Sequence, residues 1–146
     1  MRYFFIVLTV ALFSSAQLSA QTTEDSVKAT INRLFEGMKK ADPVMLKSAF
    51  ADSAILQSVG PNGIENETVA DFAATISKIP AGDADERITF DLVKIDGPLA
   101  IAWTPYQFWY KGKFSHCGVD SYQLVRIKGE WKIQYLIDTR RRTGCL

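Results

Sequence analysis

Three consecutive β-strands are predicted by residues 99–141, which read LAIAWTPYQFWY-KG-KFSHCGVDSYQLVRIK-GE-WKIQYLIDTRR. The three long runs are rich in β-branched and aromatic residues, and the dipeptides Lys111-Gly112 and Gly129-Glu130 separate them as short turns. Strands joined by tight turns pair as antiparallel neighbours. The stretch therefore predicts an antiparallel meander.

The residues before this meander extend it by one strand and add three helices. A fourth strand is predicted at 87–95, joined to the meander by an Asp-Gly turn at 96–97. Upstream, apolar residues recur at helical spacing in three segments, which Pro43 and Pro80 help to delimit. One more strand is predicted at 54–59. The predicted class is α+β, with three N-terminal helices packed on a strongly curved, mostly antiparallel sheet.

A leader precedes this domain. Residues 3–13 form an uncharged apolar run after Arg2, and small residues follow it up to Ala20. A run of this length matches the core of a signal peptide and is too short to span a bilayer. We expect residues 1–20 to be a cleaved signal peptide and residues 21–146 to form a periplasmic or secreted domain without a membrane anchor. An uncleaved N-terminal anchor is the alternative.

The charge balance argues against two classes of partner. The chain has 17 basic and 16 acidic residues, and 47% of it is apolar, which indicates a globular domain. Non-specific nucleic-acid binding and attachment to an acidic membrane both need a surplus of Lys and Arg. We therefore expect neither partner.

The turns also predict which side chains share a face of the sheet. Counting from Lys111-Gly112 and Gly129-Glu130 places Asp120 opposite Trp103 and Thr139. One face is then mainly apolar and should contact the helices. It carries Ile88, Phe90, Leu92, Leu99, Ile101, Trp103, Tyr122, Leu124, Trp131, Ile133, Tyr135 and Ile137.

Polar residues collect at one end of that predicted face. Apolar walls with a few placed polar groups are typical of a small-molecule pocket. We expect His116 and Asp120 to be its acid–base pair, because a buried carboxyl is expected to have a shifted pKa. The alternative is a buried polar network without a ligand. The ligand-binding residues predicted beside the pair are Trp103, Gln107, Tyr122, Thr139 and Arg141.

Metal binding is not expected, and a disulfide is. The chain has one histidine and no Cys-x-x-Cys motif, so no metal-ligand set is evident. Cys117 and Cys145 are the two cysteines. An even number outside the cytoplasm favours a disulfide, and two separate thiols are the alternative.

Two stretches carry a family resemblance, GVDSYQLV at 118–125 and GEWKI at 129–133. With the predicted order of elements, they resemble the nuclear transport factor 2-like superfamily, the SnoaL-like and ketosteroid isomerase-like fold. The segments 116–120 and 138–140 also resemble its secreted bacterial branch labelled "putative lumazine-binding". The resemblance covers nearly all of 21–146 and implies a cone-shaped domain with an internal pocket.

The resemblance leaves the function open, because this fold hosts unrelated activities. One hypothesis is a protein that binds a small, partly aromatic molecule in the cone. Another is an isomerase, dehydratase or hydrolase that uses Asp120 and His116 and needs no cofactor. A purely structural dimer is the third.

Aromatic and basic runs suggest surfaces for partners. Alternation from the turns places Tyr106, Phe108 and Tyr110 on the outer face of the sheet, where a homodimer contact is expected. The run 140–142 is Arg-Arg-Arg, which suits an anionic ligand or a solvated strand end.

Overall fold

The computed structural model describes residues 7–145, with side chains from residue 23 onward. The predicted signal peptide, residues 1–20, lies outside the residues whose side chains are described. Among the described residues, no helix has the length and apolarity needed to cross a membrane.

Three helices form as the apolar spacing predicts. They are α1 (Val7–Lys39), α2 (Pro43–Ser48) and α3 (Val69–Ile76). Asp42 caps α2, because its Oδ1 accepts the backbone N–H groups of residues 44 and 45, each at 2.9 Å. Thr68 caps α3 in the same way. The stripe of α1 that faces the sheet is buried and comprises Val27, Ile31, Leu34 and Met38.

Seven strands form one sheet, in the order β2-β1-β7-β6-β5-β3, with β4 also paired to β5. All pairs are antiparallel except β1 with β7. The prediction of an α+β fold with helices on a curved, mostly antiparallel sheet is confirmed. The strands are β1 (Phe50–Gly60), β2 (Gly63–Glu67), β3 (Ala84–Ile88), β4 (Leu92–Asp96), β5 (Leu99–Tyr110), β6 (Lys113–Ile127) and β7 (Glu130–Arg141).

A bulge between β5 and β6 inverts the predicted face of β5. Tyr110 pairs with Lys113 as predicted, but Ser115 is an extra residue on β6, so His116 lies opposite Phe108 and not opposite Gln107. The even-numbered residues of β5 therefore face the helices. Buried side chains on this strand are Ala100, Ala102, Thr104 and Tyr106.

The prediction that Leu99, Ile101 and Trp103 of β5 face the helices is therefore wrong. Trp103 is 43% exposed and Ile101 is 41% exposed, on the outer face of the sheet. Leu92 and Leu99 are exposed with them. The prediction that Tyr106 and Phe108 face outward is also wrong, for the same reason.

A second bulge changes the phase of β7. Gln134 is the extra residue, because Leu124 pairs with Ile133 whereas the next pair is Gln123 with Tyr135. The predicted turn at Gly129-Glu130 is also wrong, because Ile127 pairs with Glu130 and the turn is Lys128-Gly129. The turn and the bulge together place Asp120 opposite residue 138 and not opposite the predicted Thr139. Beyond this bulge, the side chains on the helix-facing side are Leu136, Asp138 and Arg140.

The core occupies the helix-facing side of the sheet, which we call the concave face. At one end of this face, Leu124 and Ile133 have no exposed surface. On the central strand β6, Cys117 forms a disulfide with Cys145 at a Cα–Cα distance of 5.8 Å. This bond attaches the C-terminal segment to β6.

Candidate functional site

A cavity of about 310 Å³ lies at the other end of the concave face. Its apolar walls come from α1, α3 and the sheet and include Leu34, Phe35, Met38, Leu56, Phe72, Ile76, Ile79, Phe108 and Leu136. Its polar lining comes from β2, β3 and the central strands. These polar residues are Glu67, Glu86, Tyr106, His116, Asp120, Tyr122, Asp138 and Arg140, with Gln57, Ser58 and Thr75 beside them.

Asp120 is the most deeply buried acid of this cavity, with 4% of its surface exposed. Its Oδ2 atom accepts hydrogen bonds from the hydroxyls of Thr104 (3.1 Å) and Tyr122 (3.2 Å). No described residue donates a hydrogen bond to Oδ1. Burial raises the pKa of this carboxyl to about 7, and the negative charge of Asp138 adds to the effect. Near neutral pH the group therefore both gains and loses a proton readily.

Glu86 is a second acid of the cavity, and the sequence prediction missed it. It lies on β3, opposite Phe108 of β5. Burial raises the pKa of its carboxyl well above the usual range, and the charges of Asp120 and Asp138 add to this shift. Its side chain forms no hydrogen bond with the described residues. The signal available in the sequence was a charged residue within a short polar strand, which does not distinguish a cavity from the surface.

A hydrogen-bond network surrounds Asp138 at the edge of the cavity. Arg140 Nε donates to its Oδ2 at 3.0 Å, the Tyr106 hydroxyl reaches the same atom at 3.3 Å, and the Ser58 hydroxyl donates to Oδ1. The Tyr106 hydroxyl also lies 2.9 Å from the carbonyl oxygen of Thr139. Asp138 is thus compensated by a guanidinium, whereas Asp120 and Glu86 have no ion-pair partner among the described residues.

Gly118 allows this network to form. A Cβ at this position would overlap the Thr139 carbonyl oxygen and would lie 2.7 Å from Cε1 of Tyr106. Only a residue without a side chain permits Tyr106 to pass so close to β6 and β7. The sequence prediction did not assign a role to this glycine.

His116 contributes an aromatic surface to the cavity rather than a charge. Its ring centroid lies 5.0 Å from that of Phe108 and 5.7 Å from that of Tyr106. Burial, together with the positive charge of Arg140, lowers the pKa of the imidazole. The ring is therefore neutral at neutral pH. Its Nδ1 lies 3.1 Å from the hydroxyl of Ser115.

The structure brings only some of the predicted site residues together. Asp120, His116 and Tyr122 all line the cavity. No hydrogen bond joins Asp120 to His116 among the described residues, so they are separate groups of one cavity.

Four predicted ligand-binding residues do not line the cavity: Trp103, Gln107, Thr139 and Arg141. The two bulges turn these side chains to other surfaces. The Thr139 hydroxyl accepts the backbone N–H of Val119 at 3.2 Å. Gln107 and Arg141 line a smaller depression beside Cys117.

The acids of the cavity are not arranged to chelate a metal. Within residues 7–145, no group of three His, Cys, Asp or Glu side chains has the geometry to hold a metal ion. The arrangement instead offers separate proton donors and acceptors around an apolar space, which suits an organic molecule.

The model of the family described as "Putative lumazine-binding" matches residues 22–135. The chain belongs to this family. A comparison with curated proteins found no match for this chain.

Solved structures of low sequence identity show the same fold. An NTF2-like protein of unknown function from Shewanella baltica has a TM-score of 0.69 at 16% identity and covers 84% of this chain and 96% of its own. A second, from Silicibacter pomeroyi, has a TM-score of 0.70 at 15% identity, with 84% and 98% covered. A third, with a cystatin-like fold, comes from Novosphingobium aromaticivorans and has a TM-score of 0.69 at 14% identity, with 89% of each chain covered. The domain thus has the nuclear transport factor 2-like fold expected from its sequence.

Proposed function

We propose that this domain binds a small, partly aromatic molecule inside the cone, in the cavity at one end of the concave face. The observation that carries this proposal is the combination of apolar walls with the buried polar groups of Tyr106, Asp120 and Tyr122. Burying a polar group without a hydrogen bond costs stability, and Oδ1 of Asp120 receives none from the described residues. A bound molecule with a donor group would supply this hydrogen bond.

The size and chemistry of the cavity favour a compact ligand. A volume of about 310 Å³ lies at the lower end of the usual range for ligand pockets. Phe35, Phe72 and Phe108 provide surfaces on which a flat ring can pack. The family description names lumazine, a flat bicyclic heterocycle, and a molecule of that shape is compatible with this space.

A pair of variants on α3 tests the proposal. Thr75 is exposed and lines the cavity, whereas the neighbouring Ala74 is exposed and does not. Thr75→Trp should fill the cavity at little cost to folding, and Ala74→Trp is the matched control. Native mass spectrometry of protein purified from its source should detect a small bound molecule, which Thr75→Trp loses and Ala74→Trp retains. Calorimetric titration with lumazine provides a defined probe. A bound molecule that both variants retain would place the site elsewhere.

An acid–base enzyme is the second candidate, favoured by the Asp120 carboxyl, whose pKa is raised to about 7 by burial. In this reading Asp120 moves a proton as an isomerase, dehydratase or hydrolase requires, without a cofactor, and His116 contacts another atom of the substrate. Asp120→Asn should then abolish turnover of any substrate found while the protein remains folded. Full activity in this variant would exclude Asp120 from the mechanism.

The compartment and the oligomeric state complete the proposal. We propose that residues 1–20 are removed as a signal peptide and that residues 21–146 act in the periplasm or outside the cell, where the disulfide of Cys117 and Cys145 is stable. We also propose a homodimer through the outer face of the sheet. The support for the dimer is a strip of exposed apolar side chains that comprises Leu92, Leu99, Ile101 and Trp103.

A further inference from the structure

Acidic side chains outnumber basic side chains in the lining of the cavity. Four carboxyl groups line it, from Glu67, Glu86, Asp120 and Asp138, and Arg140 is the only Lys or Arg among the lining residues. His116 does not offset the difference, because burial keeps its ring neutral by lowering its pKa.

The guanidinium of Arg140 already forms an ion pair with one of these acids. Arg140 pairs with Asp138 at 3.0 Å, and its second nitrogen donates to the Ser58 hydroxyl at 3.2 Å. Glu86 and Asp120 form no ion pair with any described residue. Asp120 is more than nine-tenths buried, and its Oδ1 receives no hydrogen bond from the described residues. Two carboxyl groups thus lie in the cavity without a positively charged partner, and a cation between them would favour their ionised forms.

The rest of the lining indicates what kind of positive charge would fit. The acids are not arranged to chelate a metal within the described residues, so a bare ion would not satisfy them together. Aromatic rings from Phe108, Tyr106 and His116 lie on the same side of the cavity, and ring faces attract cations as well as apolar groups. Apolar walls from the helices surround them. The lining therefore matches an organic molecule with both a flat apolar part and a positive charge.

We propose that the ligand of this cavity is an organic cation, a protonated amine or amidine whose charged nitrogen lies between Glu86 and Asp120. This proposal rests on the proposed function, since it names the class of molecule that the cavity binds. The ring or chain of the ligand packs against the apolar residues of α1 and α3. Its N–H groups donate hydrogen bonds to Oδ1 of Asp120 and to the Glu86 carboxylate.

A pair of probes of equal shape separates charge from shape. Benzamidine and benzamide are both flat and nearly equal in size, but benzamidine is a cation at neutral pH and benzamide is not. Titrations followed by NMR at pH 7.5 should show that benzamidine binds about tenfold or more tightly than benzamide, as expected for a charge-assisted hydrogen bond. The Thr75→Trp variant should lose this binding, and Ala74→Trp should retain it.

Two variants test whether Glu86 and Asp120 produce the preference for benzamidine over benzamide. Glu86→Gln and Asp120→Asn keep the shape of each side chain and remove its charge, so each should reduce the ratio of the two affinities several-fold. Glu65→Gln, at an exposed position of β2 outside the cavity, is the control and should leave the ratio unchanged.

Each other result overturns a defined part of the account. If benzamide binds in the cavity as tightly as benzamidine, the ligand is not a cation, while binding of a small aromatic molecule still stands. If the preference for benzamidine persists in both Glu86→Gln and Asp120→Asn, these acids do not produce it. If neither probe binds in a way that Thr75→Trp blocks, the proposed function fails as well.

Discussion

The two ends of the concave face differ although the same strands form both. At one end, Ala100, Leu124 and Ile133 belong to the continuous core and are at most 1% exposed. At the other end, Tyr106 and Asp120 are equally buried but lie beside a cavity. The packed end stabilises the domain, and the cavity end leaves polar groups in an apolar space.

Two β-bulges delimit the cavity end. One adds Ser115 to β6, and the other adds Gln134 to β7. Between them, the side chains of three neighbouring strands are brought into a common phase, so that Phe108, His116, Asp120 and Asp138 converge. A bulge redirects side chains without interrupting the sheet for long. The register of β5 with β6 is the same at both ends, whereas the bulge at Gln134 in β7 places Asp138 and Arg140 on the concave face at the cavity end.

The largest expected effect comes from Gly118, where β6 passes closest to its neighbours. In Gly118→Ala the new methyl group would overlap the Thr139 carbonyl oxygen, and this atom belongs to the backbone and cannot rotate away. We expect a loss of about 4 kcal/mol in the free energy of unfolding, measured by urea denaturation. Gly60→Ala is the control. There the nearest atom is the flexible Glu65 carboxylate, so the loss should stay below about 1 kcal/mol. Equal losses in the two variants would contradict the close packing at Gly118.

The same truncation at the two ends should have unequal costs. Leu124→Ala in the packed end should reduce the free energy of unfolding by about 3 kcal/mol, because it leaves a new void in a filled core. Leu136→Ala should cost only about 1 kcal/mol, because this side chain already borders the cavity. Denaturation of both variants under one condition gives the comparison directly. Similar costs would mean that the cavity end is as well packed as the core.

The pH dependence of stability should distinguish the cavity end from the rest of the molecule. Burial, followed by the charge of Asp138, raises the pKa of Asp120 to about 7 in the folded protein, well above its value in an unfolded chain. The folded state therefore binds the extra proton between about pH 4 and pH 7, and the associated stability is lost as the pH rises through 7. Wild-type protein should lose about 2 to 3 kcal/mol between pH 5 and pH 8 from this group.

Asp120→Asn should remove the part of the loss that comes from this group, and Glu86, whose pKa burial also raises, should still contribute a decline in the same direction. Asp52→Asn, at an exposed position of β1, is the matched control and should behave as the wild type. A variant at Asp120 with an unchanged pH profile would show that its carboxyl is not held protonated.

The smallest effect on the monomer is expected on the outer face. Trp103 is 43% exposed there and lies outside the core, so Trp103→Ser should change the free energy of unfolding of the monomer by only about 1 kcal/mol. If the outer face forms the proposed homodimer, the same variant should shift sedimentation velocity profiles from dimer to monomer, whereas Asn62→Ser in the β1–β2 turn should not. A wild-type protein that remains monomeric at high concentration would contradict the dimer.

The fold was predictable because its signals are local. The helical stripe of α1 and the Lys111-Gly112 turn depend on residues close in sequence. The other two hairpin turns lie one residue away from their predicted places, at Gly97-Pro98 and Lys128-Gly129. The short strand β2 was missed because all five of its side chains are exposed, so no alternation of polar and apolar residues marks it. The predicted strand at 87–95 forms as the two strands β3 and β4.

The site was only partly predictable because bulges are not visible as turn signals. Counting outward from a turn assigns β6 correctly, and Asp120, His116 and Tyr122 were therefore placed on the concave face. It assigns β5 and the end of β7 to the wrong face, so Trp103 and Arg141 were predicted where Tyr106 and Arg140 lie. Glu86 was missed because it reaches the cavity from a short strand at the sheet edge. Its environment depends on Asp120 and Asp138, which are distant in sequence.

Methyl-resolved NMR tests most directly whether the cavity end, and not another surface, holds the ligand. The methyl groups of Ile76 and Leu136 line the cavity, those of Leu124 and Ile133 lie in the packed end, and that of Ile101 lies on the outer face. On addition of benzamidine, we expect the signals of Ile76 and Leu136 to shift in a saturable manner while those of the other three remain in place. Saturable shifts at Ile101, or no shift at Ile76 and Leu136, would contradict a binding cavity between the two bulges.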